Sequence, residues 1–476
     1  MRYLVKFFIA VLVLCNTVTA QEKWDLRKIV DYAMVNNITV KQAAVQVSIS
    51  GLLYKQSKLS LYPAANFSGN TAYNNGRNQD PTSFNLITQS YVSSGFQLQT
   101  SIEIFNWFSK KNNILANQWE YEASKANVDK LKNDIALTVA NNYLQILLAK
   151  EQENIARVQL QQTQAQLNYT RKLVDAGSLP ELNASELEAQ EARDSANFIS
   201  ARGSVAQAVL VLKSNMNIDA AAPFDVAVPP VELIPVENIA DLQPDAVFAL
   251  AVKNLPQQRA NDFKLRAARK TAESVSGTMY PTISAFGNFG TGFNSRANEV
   301  IGSQLILAPI GKVSVSGIDY TVFPNQPFTN YSYGKTAFFR QMNQNFRQSF
   351  GLGLSVPIFN GAQLRTNWER SKLNIHTIEL QQDADNQKIK QDIYQAYNAA
   401  TVALEKFNSS QKSVSASQRS YNFAQKRYEV GMLSTFELIT NQNNLFRAKL
   451  ESVLNQFDYV FKMKVLEFYR GQGLKL

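Results

Sequence analysis

One cysteine and one histidine in 476 residues leave almost nothing from which to build a thiol, metal or triad site. His376 lies in a polar, helix-forming stretch with no second imidazole to share a metal. Pairs such as Asp383 and Asp385 stand two apart on a helix, face different directions and are expected to be solvated. Glycines 287, 290 and 292 are spaced like a phosphate loop but sit in a strand-like context with no helix after them. No catalytic, cofactor or metal residue is therefore assigned. Long apolar runs are also missing. The longest, at 7–14, is too short to cross a bilayer as a helix.

That short run has another use. Arg2 and Lys6 precede it and Val18-Thr19-Ala20 follow it, as in a cleaved signal peptide spanning 1–20. Cys15 would be lost with it, and Leu14 before Cys15 is unlike a lipidation site. Removing Arg2 and Lys6 lowers the formal net charge from +10 to +8. The remaining positive charge is mixed with acids along the chain, with no basic stripe interleaved with aromatics. No nucleic-acid partner is expected.

What is present is a duplication. FQLQTSIEIFN at 96–106 returns as FGLGLSVPIFN at 350–360, and KLVDAG at 172–177 returns as KRYEVG at 426–431, both at offset 254. Tyr62-Pro63 and Tyr280-Pro281 are 218 apart, so the second copy carries 36 extra residues (254 less 218) ahead of its Phe-Asn. The repeats are placed at 21–218 and 244–476, each opening on a helix. Between them lies a proline-rich linker at 219–243, with Pro223, Pro229, Pro230 and Pro235.

Residues 106–176 and 362–430 contain neither glycine nor proline and are rich in helix formers. Ile135, Val139, Tyr143, Ile146 and Leu147 recur at helical spacing, as do Ile389, Ile393, Tyr397 and the run from Val402 to Leu404. Each stretch reads as one helix of about 105 Å or as two shorter ones. Each stops at a glycine suited to the left-handed position, Gly177 or Gly431. Helix resumes at once, over 182–216 and 435–469. Ser434-Thr-Phe-Glu437 has the spacing of a capping box, with Leu433 and Leu438 as its staple, and Ser178-Leu-Pro-Glu181 has the same spacing.

Strands lie at the other end of each copy, as hairpins at about 64–105 and 281–359. Phe96, Leu98, Thr100, Ile102 and Ile104 alternate with Gln97, Gln99, Ser101 and Glu103, and residues 350–358 repeat the period. That suits half of a soluble sandwich or a membrane barrel. Three features favour the barrel: the wettable face, helices too long and polar for four strands to cover, and aromatics clustered where strand meets helix. These are Tyr62, Phe105, Trp107, Phe108, Tyr280 and Phe359, placed as a membrane-interface belt. Four strands cannot close a barrel, so other subunits must complete it.

The duplicated plan, PIFNG at 357–361 and KRYEVGMLSTFELI at 426–439 resemble the TolC-like outer membrane efflux proteins, over essentially the whole chain from Trp24 onward. The resemblance implies an α+β membrane protein: a homotrimer with a long antiparallel α-helical barrel in the periplasm. Each chain would add four strands to a 12-stranded transmembrane β-barrel in outer-membrane lipid. It implies a passive duct, no cofactor, and docking through a periplasmic adaptor (membrane fusion) protein to an inner-membrane RND or ABC pump. It also implies an iris gate at the hairpin tips. There the tyrosine of the family's lock is Tyr428, its acidic partner is replaced by Asn183 and its arginine by Leu433. Of the two acidic constriction positions, Glu437 is kept and the other is Thr440. A Tyr428–Asn183 hydrogen bond is the expected remnant, and Glu437 has a second role in the capping box. The enlarged outer loop, about 294–345, suits either a plug or an attachment surface. The rival to the channel is a periplasmic coiled-coil scaffold or adaptor.

Overall fold

The computed structural model describes residues 23–79, 84–228, 234 and 236–471. The signal-peptide expectation, Cys15 included, and Pro229, Pro230 and Pro235 lie outside the described residues. The chain divides into two compact units: 1–53 with 117–268 and 373–476, and 54–116 with 269–372.

The first unit is helical. Helix α1 (Leu26–Asn36) leads into α2 (Ile38–Leu59). Unbroken 67-residue helices follow in each copy: α3 (Ser109–Asp175), returning through α4 (Glu181–Met216), and later α8 (Gln363–Glu429), returning through α9 (Thr435–Tyr469). Between α4 and α8 come α5 (Pro244–Asn254) and α6 (Pro256–Gly277), then the second copy's strands and a short helix; the first copy's strands lie between α2 and α3. Boundaries between the units fall inside α2, α3, α6 and α8. No described helix is long and apolar enough to cross a membrane.

Two related cores hold this unit. In one, Ile29, Val30 and Ala33 of α1 pack on Val139, Tyr143, Ile146 and Leu147 of α3 and Leu212 and Met216 of α4. In the other, Val247 and Ala251 of α5 pack on Ile389, Ile393 and Ala400 of α8 and Met463 and Leu466 of α9. Of the apolar positions read from the sequence, Val139, Tyr143, Ile146, Leu147, Ile389 and Ile393 are buried, Ile135 and Tyr397 are partly so, and Val402 is exposed; α1 and α5 play matching parts in the two copies.

The linker is fastened by buried polar groups. Trp24 bridges Val226 as a short parallel pair. The Tyr143 hydroxyl donates to the Ala227 carbonyl at 2.8 Å. Burial, and secondarily the Asp25 charge, pushes that phenol up to about 12. Lys213, 4% exposed, donates to the Ala220 and Ala222 carbonyls. Further on, the Glu237 amide donates to Glu467 Oε1 at 2.9 Å, while Glu467 Oε2 receives Lys464 Nζ at 2.8 Å.

One sequence expectation is corrected here. Asp385 is not simply solvated: its carboxylate accepts from Asn261 at 2.7 Å, Gln257 at 3.3 Å and Gln381 at 2.9 Å. Spacing along one helix says nothing about a second helix, and α6 supplies two of these donors.

The second unit is built on an antiparallel sheet of order β1-β2-β3-β8. The strands are β1 (Ala64–Gln79), β2 (Leu86–Phe105), β3 (Thr282–Asn294) and β8 (Arg347–Ser355). Copy one supplies β1 and β2, copy two β3 and β8, and the copies join through β2–β3. The register sorts the side chains by face. Phe67 opposes Leu98, Leu98 opposes Phe289, and Ala285 opposes Leu352 on one side. Asn66, Gln99, Asn288 and Ser349 line up on the other. Both edges, β1 and β8, have no neighbouring strand among the described residues.

The outer loop, which the sequence left without elements, contains four further strands and a helix. Strands β4 (Asn298–Ile306) and β7 (Phe328–Lys335) pair, as do β5 (Gly311–Val315) and β6 (Ile318–Val322). Short α7 (Phe338–Gln344) lies between β7 and β8. Buried Gln341 pins it to β3, receiving the Asn294 amide and donating to the Asn294 and Thr336 carbonyls.

Candidate functional site: the hairpin tips and the strand–helix junction

The tips begin with matched stops. Gly177, φ +73°, donates to the Val174 carbonyl while Ser178 donates to Leu173. Gly431, φ +77°, donates to Tyr428 while Met432 donates to Arg427. Each is a Schellman stop, which needs a left-handed residue. The restarts differ. In copy two, Ser434 Oγ accepts from the Glu437 amide and Glu437 accepts from the Ser434 amide, a complete capping box. Leu433 packs beside Leu438, as the staple requires. In copy one, Pro180 occupies the capping position and offers no side-chain bond, so the box expected from Ser178 to Glu181 does not form. The reason is register. At offset 254 Pro180 stands where Ser434 stands and Asn183 where Glu437 stands, so Ser178 is two residues early.

Hydrogen bonds from the Ser434 backbone and hydroxyl, aided by Arg427, hold the Glu437 carboxyl below its ordinary range. A folded-state value lowered in this way stabilises the tip above the unfolded value. The benefit is lost as pH falls through the lowered one. Glu437→Gln should therefore raise amide-exchange rates at 434–440 near neutral pH, with the difference from the parent vanishing in acid. An equal difference at all pH values would contradict this. Ser434→Ala should cost about 1 kcal/mol of local stability by removing the cap. Copy one, lacking the box, should already exchange faster at its restart.

Tyr428 does not bond Asn183. Its buried hydroxyl lies 3.0 Å from Thr170 Oγ1 and accepts from Thr435 Oγ1 at 3.4 Å. Asn183 is half-buried one turn into α4, and its amide donates to the Pro180 carbonyl. Two threonines from α3 and α9 reach the phenol first. Thr440 is exposed and satisfies its hydroxyl on the Phe436 carbonyl.

A polar layer that the sequence did not reveal lies behind the tips. Asp194, 2% exposed, accepts from Thr163 at 2.7 Å and from Gln190 at 2.8 Å. Gln442 donates to Thr163 Oγ1 at 3.1 Å, and Gln190 and Asn443 bond reciprocally. The layer ties α3, α4 and α9 together. Its signal was available: these polar residues occupy core positions of helices whose neighbouring core positions are Leu167, Leu187 and Ile439. Thr163→Val would strip the buried carboxylate of one donor and should cost about 1–3 kcal/mol, measurable by denaturation in detergent.

Where strand meets helix, four of the six expected aromatics come together. Phe105, Trp107 and Phe108 form ring contacts at 5.3 and 6.0 Å, and Trp107 meets Tyr280 at 5.0 Å. Trp107 Nε1 donates to the Pro281 carbonyl at 2.8 Å. Tyr62 and Phe359 stand exposed at the same end of the sheet, beside the start of β1 and the end of β8. Both strand-to-helix turns use two successive left-handed residues: Trp107-Phe108 in copy one and Gly361-Ala362 in copy two. The duplication thus extends to backbone geometry, with aromatics held where glycine is easier. Gly277 at the end of α6 touches this turn; an added Cβ would sit 2.9 Å from Ser109 Cβ and 3.0 Å from the Trp107 carbonyl. Gly277→Ala should cost about 1–3 kcal/mol through that overlap, read as a lowered melting temperature.

A four-stranded sheet with one apolar and one wettable face, together with long paired helices closed by tight tips, is the equipment of an outer-membrane channel protomer. The chain belongs to the outer membrane efflux protein family, whose model matches residues 29–217 and 247–460. These are non-enzymatic, TolC-like channels of tripartite efflux and secretion systems. The chain is 20% identical over 391 residues to the outer membrane efflux protein BepC of Brucella suis, covering 82% of this chain and 73% of that protein. The solved structure of CusC, described as forming a transmembrane channel, superposes with a TM-score of 0.74 at 16% identity, covering 94% and 92% of the two chains. The Campylobacter jejuni CmeC outer membrane channel gives 0.72 at 15% identity over 94% and 86%.

Proposed function

We propose that three copies of this chain, exported by a cleaved signal peptide, assemble into one duct through the outer membrane that extends into the periplasm. The observation that carries the reading is the sheet. Its two edges have no neighbouring strand among the described residues, and backbone groups at a lipid-facing edge cost several kcal/mol each when unsatisfied. Edge β1 of one copy pairing with β8 of the next closes twelve strands and leaves no edge. The face carrying Phe67, Leu98, Leu352 and Leu354 then turns to lipid, and that carrying Asn66, Gln99 and Asn288 lines water. The junction aromatics mark one boundary of the hydrocarbon. The helices continue as a periplasmic barrel, with the fastened linker at its equator.

The hairpin tips then form the inner gate and receive a periplasmic adaptor, which couples the duct to an inner-membrane pump of the RND or ABC class. The pump supplies the energy and selects the cargo. In this chain the gate rests on Tyr428 with Thr170 and Thr435 and on the Asp194 layer, while Glu437 orders the second tip. Light scattering of the detergent-extracted protein tests the assembly: a protein mass of three chains is expected. A monomer would overturn the reading.

A further inference from the structure

On the wettable face, three rows are shared by all four strands, from the row of Ser68 to the row of Ala64. Each row has four positions, and ten of the twelve hold glycine, alanine or uncharged polar residues. The two exceptions are Arg347 and Phe286. Arg347 begins β8 in the row of Ser68, Gln97 and Gly290. It is exposed, and a concavity of about 570 Å³ lies beside it, lined in part by Gln97, Asn288 and Ser349. That is room for a small organic group. The other charge on this face of the four strands, Glu103, lies nearer the helices and is met by Lys110 at 3.4 Å and Asn106 at 3.0 Å.

Phe286 stands in the row of Ser101 and Gly351. The nearby rings of Phe67, Phe289 and Phe350 all take the apolar face, so Phe286 breaks the alternation. A Cβ added to Gly351 would lie 2.6 Å from Phe286 Cζ, so the ring lies across the sheet over that glycine. Covering a glycine on an edge strand is one use of such a ring. It does not hide the residue, which remains 40% exposed. Phe286 and Gly290 are four residues apart on β3, which sets the ring about 13 Å from the row of Arg347.

We propose that Phe286 and Arg347 give the duct a preference of its own for amphipathic organic anions, solutes that join an acidic group to an aromatic or apolar body. The proposal rests on the channel reading above, in which this face lines water and each residue recurs in every copy around the lumen. A guanidinium raises the local concentration of anions, and arginine rings favour their passage. An exposed ring adds a surface on which flat apolar bodies stack. Charge and ring stand at different levels of an otherwise neutral wall. An elongated solute therefore meets both, whereas a small inorganic anion gains only from the charge. This preference adds to whatever selection the pump makes.

A thiol between the two levels reads the local concentration of each kind of solute. Cys15 is the only native cysteine, and Ser349→Cys puts a thiol in the row between those of Arg347 and Phe286. The full chain in outer membranes is treated with thiosulfonate reagents bearing a sulfonate or a trimethylammonium group, each on an ethyl or a benzyl body. The unsubstituted chain gives the background. The anionic-to-cationic rate ratio cancels any change in the thiol's own reactivity. Adding Arg347→Gln should lower that ratio about fivefold in dilute buffer, with the effect fading in concentrated salt. Adding Phe286→Leu should leave the ratio of the ethyl reagents unchanged and remove the advantage of the benzyl sulfonate over the ethyl one, whereas Phe286→Tyr should keep it. A ratio untouched by Arg347→Gln would overturn the proposal, and that variant, at an exposed site, decides even if Phe286→Leu fails to assemble. A benzyl advantage untouched by Phe286→Leu, or lost with Phe286→Tyr, would overturn it as well. A thiol that reacts with none of the reagents would instead mean that this face is not wet, which counts against the channel itself.

Discussion

Replacing Leu352 with arginine should abolish accumulation of the assembled channel in the outer membrane. Leu352 lies mid-strand on β8, opposite Ala285, on the face shared with Phe350 and Leu354, and is 73% exposed in the single chain. If that exposure is to lipid, an arginine near the midplane costs about 2–4 kcal/mol per chain. With three copies in each proposed barrel, the penalty recurs at every seam. Ser349→Arg is the matched control. It lies on the same strand but opposite Asn288, on the wettable face, and should assemble and change conductance instead. Heat-modifiable trimer in outer-membrane fractions reads both outcomes. Equal assembly of the two variants would mean that neither face meets lipid.

The second large effect is expected in the helical unit. Lys464 and Glu467 are 5% and 4% exposed, one turn apart on α9, and Glu467 also receives the Glu237 amide. Lys464→Met would leave a buried carboxylate without its cation, and breaking such a pair from one side costs about 3–5 kcal/mol. Most of this is the unpaired charge rather than the worth of the bond. Lys464→Met with Glu467→Gln should therefore recover much of the loss, because the amide oxygen still accepts from the Glu237 N–H. Denaturation in detergent measures both, and a double variant worse than the single would show that the pair holds the linker by attraction alone.

Legibility in the sequence followed the physics of each element. The long helices were plain because 3.6-residue periodicity, helix-forming composition and the absence of glycine and proline agreed over some seventy positions. The sheet faces were plain because a period of two admits only one assignment. Glu437 was legible because a capping box is local. What failed was long-range or lacked a period. Tyr428 met Thr170, 258 residues away, rather than Asn183. Asp385 found donors on α6, and the layer around Asp194 was passed over because threonine, glutamine and asparagine read as ordinary polar faces, although their helical spacing from Leu167, Leu187 and Ile439 marks them as core positions. The Ser178 box failed for a smaller reason: spacing alone does not register where the first helical residue falls after Gly177. The hairpins of the outer loop have short strands with no template in copy one, so the repeat offered no guide to them.

The central proposal is a water-filled pore completed by three chains. Reconstitution of the purified protein into a planar lipid bilayer tests this most directly. Discrete, ohmic conductance steps should appear, and they should change in unit size with Ser349→Arg on the water-lined face. A protein that remains monomeric and leaves the bilayer silent would contradict the channel.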